Sequence, residues 1–174
     1  MKLRWIILAV VLLAAWYLLS PAFKVTELQE TSPLEIKDAM ETMDAATKEK
    51  FEDEVEAVKD VVMTMNDVMP KASIVSQGNF QARAHDVEGK ALLIQTGNEY
   101  VLRFEDFETI NGPDLHIYLS SELGDDDFVD LGKIKATKGN VNYEIPPGTD
   151  LKKFDNVLVW CVPFKVLFSY AVLE

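Results

Sequence analysis

Few side chains in this sequence could do redox or metal chemistry. There is one cysteine, Cys161, and two histidines, His85 and His116. A single cysteine cannot close an internal disulfide, so the thiol is free, ligated or paired to another molecule. As a redox thiol or a cofactor ligand, Cys161 needs an accessible, stabilised thiolate. Its sequence neighbours Val159, Trp160, Val162 and Pro163 form an apolar setting that disfavours one. The competing reading is a small buried hydrophobe. An electron-transfer copper site takes two His, one Cys and a weak axial ligand, often Met. No His or Met follows Cys161. Copper would have to draw on His85 and His116 with no local motif, and no metal site is expected. Haem attached through Cys-x-x-Cys-His is excluded by the cysteine count. Non-covalent haem stays open, with Cys161, His116, His85 or a methionine as axial ligand.

The other polar candidates have plainer readings beside the chemical ones. His116 lies two residues after Asp114 and fits a satisfied sheet histidine. His85 fits a loop. Asp114 follows Gly112-Pro113, where a carboxylate can bond turn backbone. Glu122 and Asp125-Asp126-Asp127 make an acidic loop, but the alternating spacing of a helix–loop–helix calcium site is missing. There is no Gly-x-Ser-x-Gly elbow, phosphate loop or His-Glu-x-x-His, which argues against hydrolase and nucleotide chemistry.

The elements that must position these groups fall into three stretches: 1–23, 24–70 and 71–174. The chain of 174 residues has room for one ordinary domain with attachments. A formal charge of −12 repels phosphate backbones and anionic lipid surfaces over the chain as a whole, and disfavours nucleic acid as a partner. Lys2 and Arg4 precede an unbroken apolar run, Trp5–Leu19. A basic start and an apolar run make a signal anchor or a cleavable signal peptide, and the basic residues stay cytoplasmic. The run lacks a polar face, against a buried core helix. Retention as a membrane anchor through residues 5–19 is favoured over cleavage after Ala22 and secretion, with Trp5 and Trp16-Tyr17 at the interfaces.

Residues 24–32 read as a short linker. Ser32-Pro33-Leu34-Glu35 is a helix start, with Ser32 as cap and Pro33 at the first position. Ile36, Met40, Met43, Phe51, Val55, Val58, Val62, Met65 and Met69 then draw an apolar stripe, with acidic residues opposite, until Pro70. This is an acidic amphipathic helix, or two broken near Asp44–Thr47. It packs on the domain or near the membrane, or serves as a stalk or a self-association surface. The methionines read as packing residues.

From Lys71 the pattern is β. Strands are expected near 73–75, 78–82, 91–96, 100–104, 114–119, 129–131, 142–145, 157–161 and 165–173, with a hairpin turn at Gly97-Asn98. An all-β sandwich or closed barrel is the natural solution. Alternation puts Leu115, Ile117 and Leu119 on one face and Asp114, His116 and Tyr118 on the other. Val157–Val162 is apolar on both faces, with Cys161 on the side of Val157 and Val159, opposite Trp160.

These segments also resemble a known family. Gly78-Asn79-Phe80, His85, Gly89, Leu102-Arg103 and Phe107 match. So do Asn111-Gly112-Pro113-Asp114-Leu115-His116-Ile117-Tyr118-Leu119-Ser120, Leu131-Gly132-Lys133-Ile134-Lys135, Gly139-Asn140 and Tyr143-Glu144-Ile145-Pro146. Val159-Trp160-Cys161-Val162-Pro163-Phe164 and Phe168 complete the match. Over about 74–173 the chain resembles the DM-thirteen domain, an electron-transfer module often found beside DOMON domains. The resemblance implies a β-sandwich, an extracytoplasmic setting and a functional cysteine. In that family the cysteine is suspected of redox work, as a bare thiol or as a ligand to a prosthetic group such as haem. It maps onto Cys161 alone. The expectation is a membrane-anchored extracytoplasmic electron-transfer or redox-accessory module acting through Cys161, with or without a bound prosthetic group; enzyme activity is left open, a stand-alone enzyme being the less favoured reading. The alternative is a cell-surface binding or adhesion domain with Cys161 in its core.

Overall fold

The computed structural model of the protein describes residues 2–19, 24–35 and 72–174. The acidic helix expected within 33–69 lies outside them except at its start. There the Leu34 N–H donates to Ser32 Oγ (3.3 Å) and the Glu35 N–H to the Ser32 carbonyl (3.0 Å), as a capping serine would arrange.

Helix α1 (Lys2–Leu19) carries apolar side chains all round. Trp5, Ile6, Ile7 and Leu8 are consecutive, so at 100° per residue they face every direction, and all four are exposed. Among the described residues no helix is long and apolar enough to cross a membrane. The apolar run Trp5–Leu19 rises about 22 Å, against a hydrocarbon core of about 30 Å. The spanning length expected of the anchor is therefore not met.

Ten strands follow among the described residues: β1 (Glu27–Gln29), β2 (Ser73–Asn79), β3 (Gln81–Ala82), β4 (Val87–Thr96), β5 (Glu99–Thr109), β6 (Leu115–Ser120), β7 (Phe128–Lys133), β8 (Lys138–Glu144), β9 (Asn156–Cys161) and β10 (Val166–Val172). They form two five-stranded sheets, ordered β1-β8-β5-β4-β2 and β3-β10-β9-β6-β7. This is a sandwich. The closed-barrel alternative is ruled out, because the hydrogen-bonded ladders end at β1, β2, β3 and β7 and do not close on themselves.

The core lies between the inner faces. Phe104, Phe107 and Tyr143 from the first sheet, with Phe80 from the link between β2 and β3, meet Leu115, Ile117, Leu119, Val157, Val159 and Phe168 from the second. Phe104 packs on Phe80, Phe107 and Tyr143 at ring-centroid distances of 4.8, 5.0 and 5.1 Å. Strict alternation would send Phe104 and Phe107 to opposite faces. A bulge between them, with Asp106 at φ 51°, brings both inward. Gly89 opposite makes room, since a Cβ there would lie 2.6 Å from the Glu105 carbonyl oxygen.

Strand β1 has no counterpart in the sequence reading. Glu27–Gln29, in the expected linker, pairs in parallel with β8. This N-terminal strap is tied down by its neighbours. The Glu30 N–H donates to the Asn140 carbonyl (2.8 Å), and the buried Arg103 donates to the Glu30 carbonyl (3.0 Å). Gly139, at φ 116°, lets it come close, because a Cβ there would collide with the Leu28 carbonyl oxygen.

Candidate functional site

Strand β9 is central in its sheet, between β10 and β6, so both its edges are hydrogen-bonded, and Val157–Cys161 are buried on both faces. Cys161 pairs with Leu115 on β6 and Val166 on β10. Its side chain points into the sandwich with Val157 and Val159 and is completely buried. Trp160 points the other way and packs with Tyr118, Leu158 and Leu167 on the outer face of the second sheet. The face assignments read from alternation in 114–119 and 157–162 both hold.

The same register separates the sequence candidates. Leu115 is the partner of Cys161, whereas His116 is the partner of Trp160, so the imidazole is on the outer face while the thiol is in the core. His116 Nδ1 lies 2.8 Å from Asp130 Oδ2, and its Nε2 lies 3.6 Å from Asp114. Lys133 Nζ reaches Asp114 at 2.7 Å; that hydrogen bond, opposed by some burial, holds the Asp114 carboxyl below the usual range. His116 is thus a paired sheet histidine. His85 sits in the loop after β3. Its ring lies 4.1 Å from that of Phe168, and its N–H donates to the Phe168 carbonyl (3.2 Å).

Among the described residues no group of three or more His, Cys, Asp and Glu side chains could hold a metal ion. A copper site uniting Cys161 with His85 and His116 would need the thiol and the His116 ring on one side of the sheet. Non-covalent haem also fails a test of fit. Neither Cys161 nor His116 lines any of the described cavities, and His85 borders a shallow one of about 250 Å³. A site for a ligand of that class usually encloses about 300–1,000 Å³. In the acidic loop Asp127 is held by Lys153 (2.8 Å) and Ser121 (2.9 Å), and these bonds lower its carboxyl.

Sequence reasoning missed the outer layer of the second sheet as a unit. The Tyr118 ring stacks on Phe128 at 4.1 Å and lies near parallel to Trp160 at 6.3 Å. Burial, then Asp130, Asp125 and Asp114, raise the Tyr118 phenol. Phe128 is partly exposed, so a run of aromatic rings leads from the chain neighbour of Cys161 to the surface. The apolar outer side of 157–162 was the available signal. Phe128 joins through a pairing with Ser120 across the acidic loop, which alternation alone does not reveal. One further polar group stands out within the sheet. Ser169 follows a bulge in β10, and its buried hydroxyl has no partner among the described residues.

The family model described as electron transfer DM13 matches residues 79–173, more than half of the chain. No curated protein and no solved structure matches. The matched stretch covers β3–β10, including the central strand with Cys161, and its description gives the chain a redox-related role in general. The chain belongs to the electron transfer DM13 family.

Proposed function

We propose that this chain is a membrane-anchored extracytoplasmic electron-transfer or redox-accessory module that works at strand β9 through Cys161. The observation that supports this best is the pairing of a buried thiol with an outward aromatic path. Cys161 is shut away from solvent, and Trp160, bonded to it, begins the run Trp160–Tyr118–Phe128 that ends at the surface. Thiol–disulfide exchange needs a sulfur that an attacking thiolate can touch. Electron exchange through packed rings does not: a one-electron acceptor at the Phe128 surface would draw the electron along the rings while the Cys161 thiol becomes a thiyl radical and releases its proton, and a donor at the same surface would return the electron as the proton is taken back.

Attachment to the membrane rests on α1. The apolar side chains of Trp5–Leu13 are exposed on every face, and Lys2 and Arg4 precede the run. A helix shorter than the bilayer core is accommodated by local thinning and by flanking charged and aromatic side chains at the interfaces. Protease added to intact cells should then remove the β domain. Digestion only after lysis would contradict the extracytoplasmic placement.

The redox reading is tested by titrating the purified full chain with mediators while following its absorption spectrum, with metal analysis alongside. A redox-linked spectral change that disappears in Cys161→Ser supports it. A second reading, a surface binding or adhesion domain with Cys161 as packing, is favoured by the complete burial of the thiol. It predicts a spectrum without redox response and unaltered partner binding in Cys161→Ser.

A further inference from the structure

The two ends of the sandwich differ in kind. One end holds the loops 83–86, 110–114, 134–137 and 162–165, together with the start of β1. The other holds 97–98, 121–127 and 145–155. At the first end Lys24, Arg83, Lys135 and Lys165 stand against Glu27, Asp86 and Asp114, a balance of one positive charge. At the other, Glu122, Asp125, Asp126, Asp127, Asp150 and Asp155 stand against Lys152 and Lys153, a balance of four negative charges. Lys165 points back to Asp125 at 3.7 Å, but its side chain is 78% exposed and free to turn outward.

The first end also presents apolar tips. Val25 is 73% exposed and Phe164 61%, with Ile110 and Val162 beside them in the same set of loops. Phe164 projects from a tight turn in which Lys165 adopts a positive φ of 51° and the Val162 N–H is held by the Asp114 carbonyl at 3.0 Å. A large apolar side chain held out by a braced turn and flanked by basic residues suits the boundary between headgroups and acyl chains.

Chain length says what lies opposite. Five Cα steps separate Leu19, the last residue of α1, from Lys24, so the two are within about 19 Å. The strap then runs without a break into β1, which is fixed to β8. The basic, apolar-tipped end is therefore the end that the tether keeps beside the apolar helix.

We propose that this end of the sandwich docks on an anionic lipid surface, with Phe164, Val162, Ile110 and Val25 as shallow apolar contacts and Arg83, Lys24 and Lys165 facing phosphate groups. The proposal rests on the reading of α1 as a membrane anchor. Docking in this sense turns the acidic end, and the surface at Phe128, away from the membrane toward soluble partners.

The test uses the full chain in vesicles of phosphatidylcholine and phosphatidylglycerol whose acyl chains carry bromine, a contact quencher of tryptophan. In the parent chain Trp5 and Trp16 report on α1, while Trp160 is buried in the domain. Phe164→Trp adds a reporter at the proposed contact, and Leu123→Trp adds one in the acidic loop at the other end. The expected result is loss of the fluorescence added at 164, retention of that added at 123, and recovery at 164 when salt is raised or phosphatidylglycerol is omitted. Quenching of Trp5 and Trp16 without quenching at 164 would overturn the docking and leave the anchor standing. Equal quenching at 164 and 123 would overturn it as unoriented. A shielded but unquenched reporter at 164 would overturn it in favour of another occupant, such as the acidic segment 36–71. Absence of all quenching would remove the anchor and the docking together.

Discussion

Removing the buried guanidinium of Arg103 should destabilise the domain by about 3 kcal/mol and loosen the strap that joins it to α1. Arg103 is almost fully buried. It donates from Nε to Glu105 Oε1 (3.0 Å) and from Nη1 to the Glu30 carbonyl (3.0 Å) and Asn142 Oδ1 (2.9 Å). Arg103→Met keeps much of the stem but orphans all three acceptors. Breaking a buried pair from one side costs about 3–5 kcal/mol. The lower figure applies because Glu105 is 24% exposed and keeps Lys90 at 3.0 Å. In a domain of about 100 residues that lowers the melting temperature by roughly 12 °C. The loss should also depend on pH. Burial pushes the Glu105 carboxyl up, but hydrogen bonds from Arg103 and Lys90 outweigh it and leave it below its usual value. A depressed carboxylate contributes stability that is present above the unfolded value of about 4.5 and is lost as pH falls through the folded value. Melting curves of the parent should fall on that acid limb, and those of Arg103→Met should fall less. Trypsin should also cut sooner at Lys24 in the variant, because Arg103 holds the strap through Glu30. A loss below about 1 kcal/mol, the range of an exposed pair, with unchanged proteolysis would refute the reasoning.

Two other predictions concern single buried groups. Burial pushes the Tyr143 phenol up to about 12. A raised value contributes stability below the unfolded value near 10, which is lost as pH rises toward 12, so the parent should weaken over that window by an amount on the order of 2–3 kcal/mol. Tyr143→Phe should shrink this alkaline loss while forfeiting about 1 kcal/mol at neutral pH from the hydrogen bond that the Lys135 N–H donates to the phenol oxygen (3.1 Å); an unchanged alkaline limb in denaturant melts would count against it. The Cys161 thiol should react with a soluble disulfide reagent only at the rate at which the domain opens, and mild denaturant should accelerate it; rapid labelling of the native chain would contradict the burial described here.

Much of the positioning was legible in the sequence because it depends on alternation. Leu115, Ile117 and Leu119 inward and His116 outward follow from period two, as does Cys161 with Val157 and Val159. The turn at Gly97-Asn98 was readable as well. Gly97 takes a φ of 63° at the first turn position, which a mirror-image hairpin turn needs. The parts that escaped arise where periodicity is interrupted or where distant segments meet. The reading ended β5 at Phe104, yet the strand continues to Thr109, because the bulge at Glu105–Asp106 breaks the alternation. Strand β1 is three residues long, and its partner lies 111 positions away, so no local pattern marks it. The separation of Cys161 from His116 was implicit in the alternation of each strand. It became decisive only once the register placed Leu115 against Cys161.

The central claim is that electrons enter and leave this domain at Cys161, and voltammetry of the full chain on an electrode tests it most directly. The account predicts a reversible wave in the parent that is absent in Cys161→Ser and displaced or slowed in Trp160→Phe, with both variants folded by circular dichroism. A wave of the same potential and size in Cys161→Ser, or no wave in the parent, would contradict it.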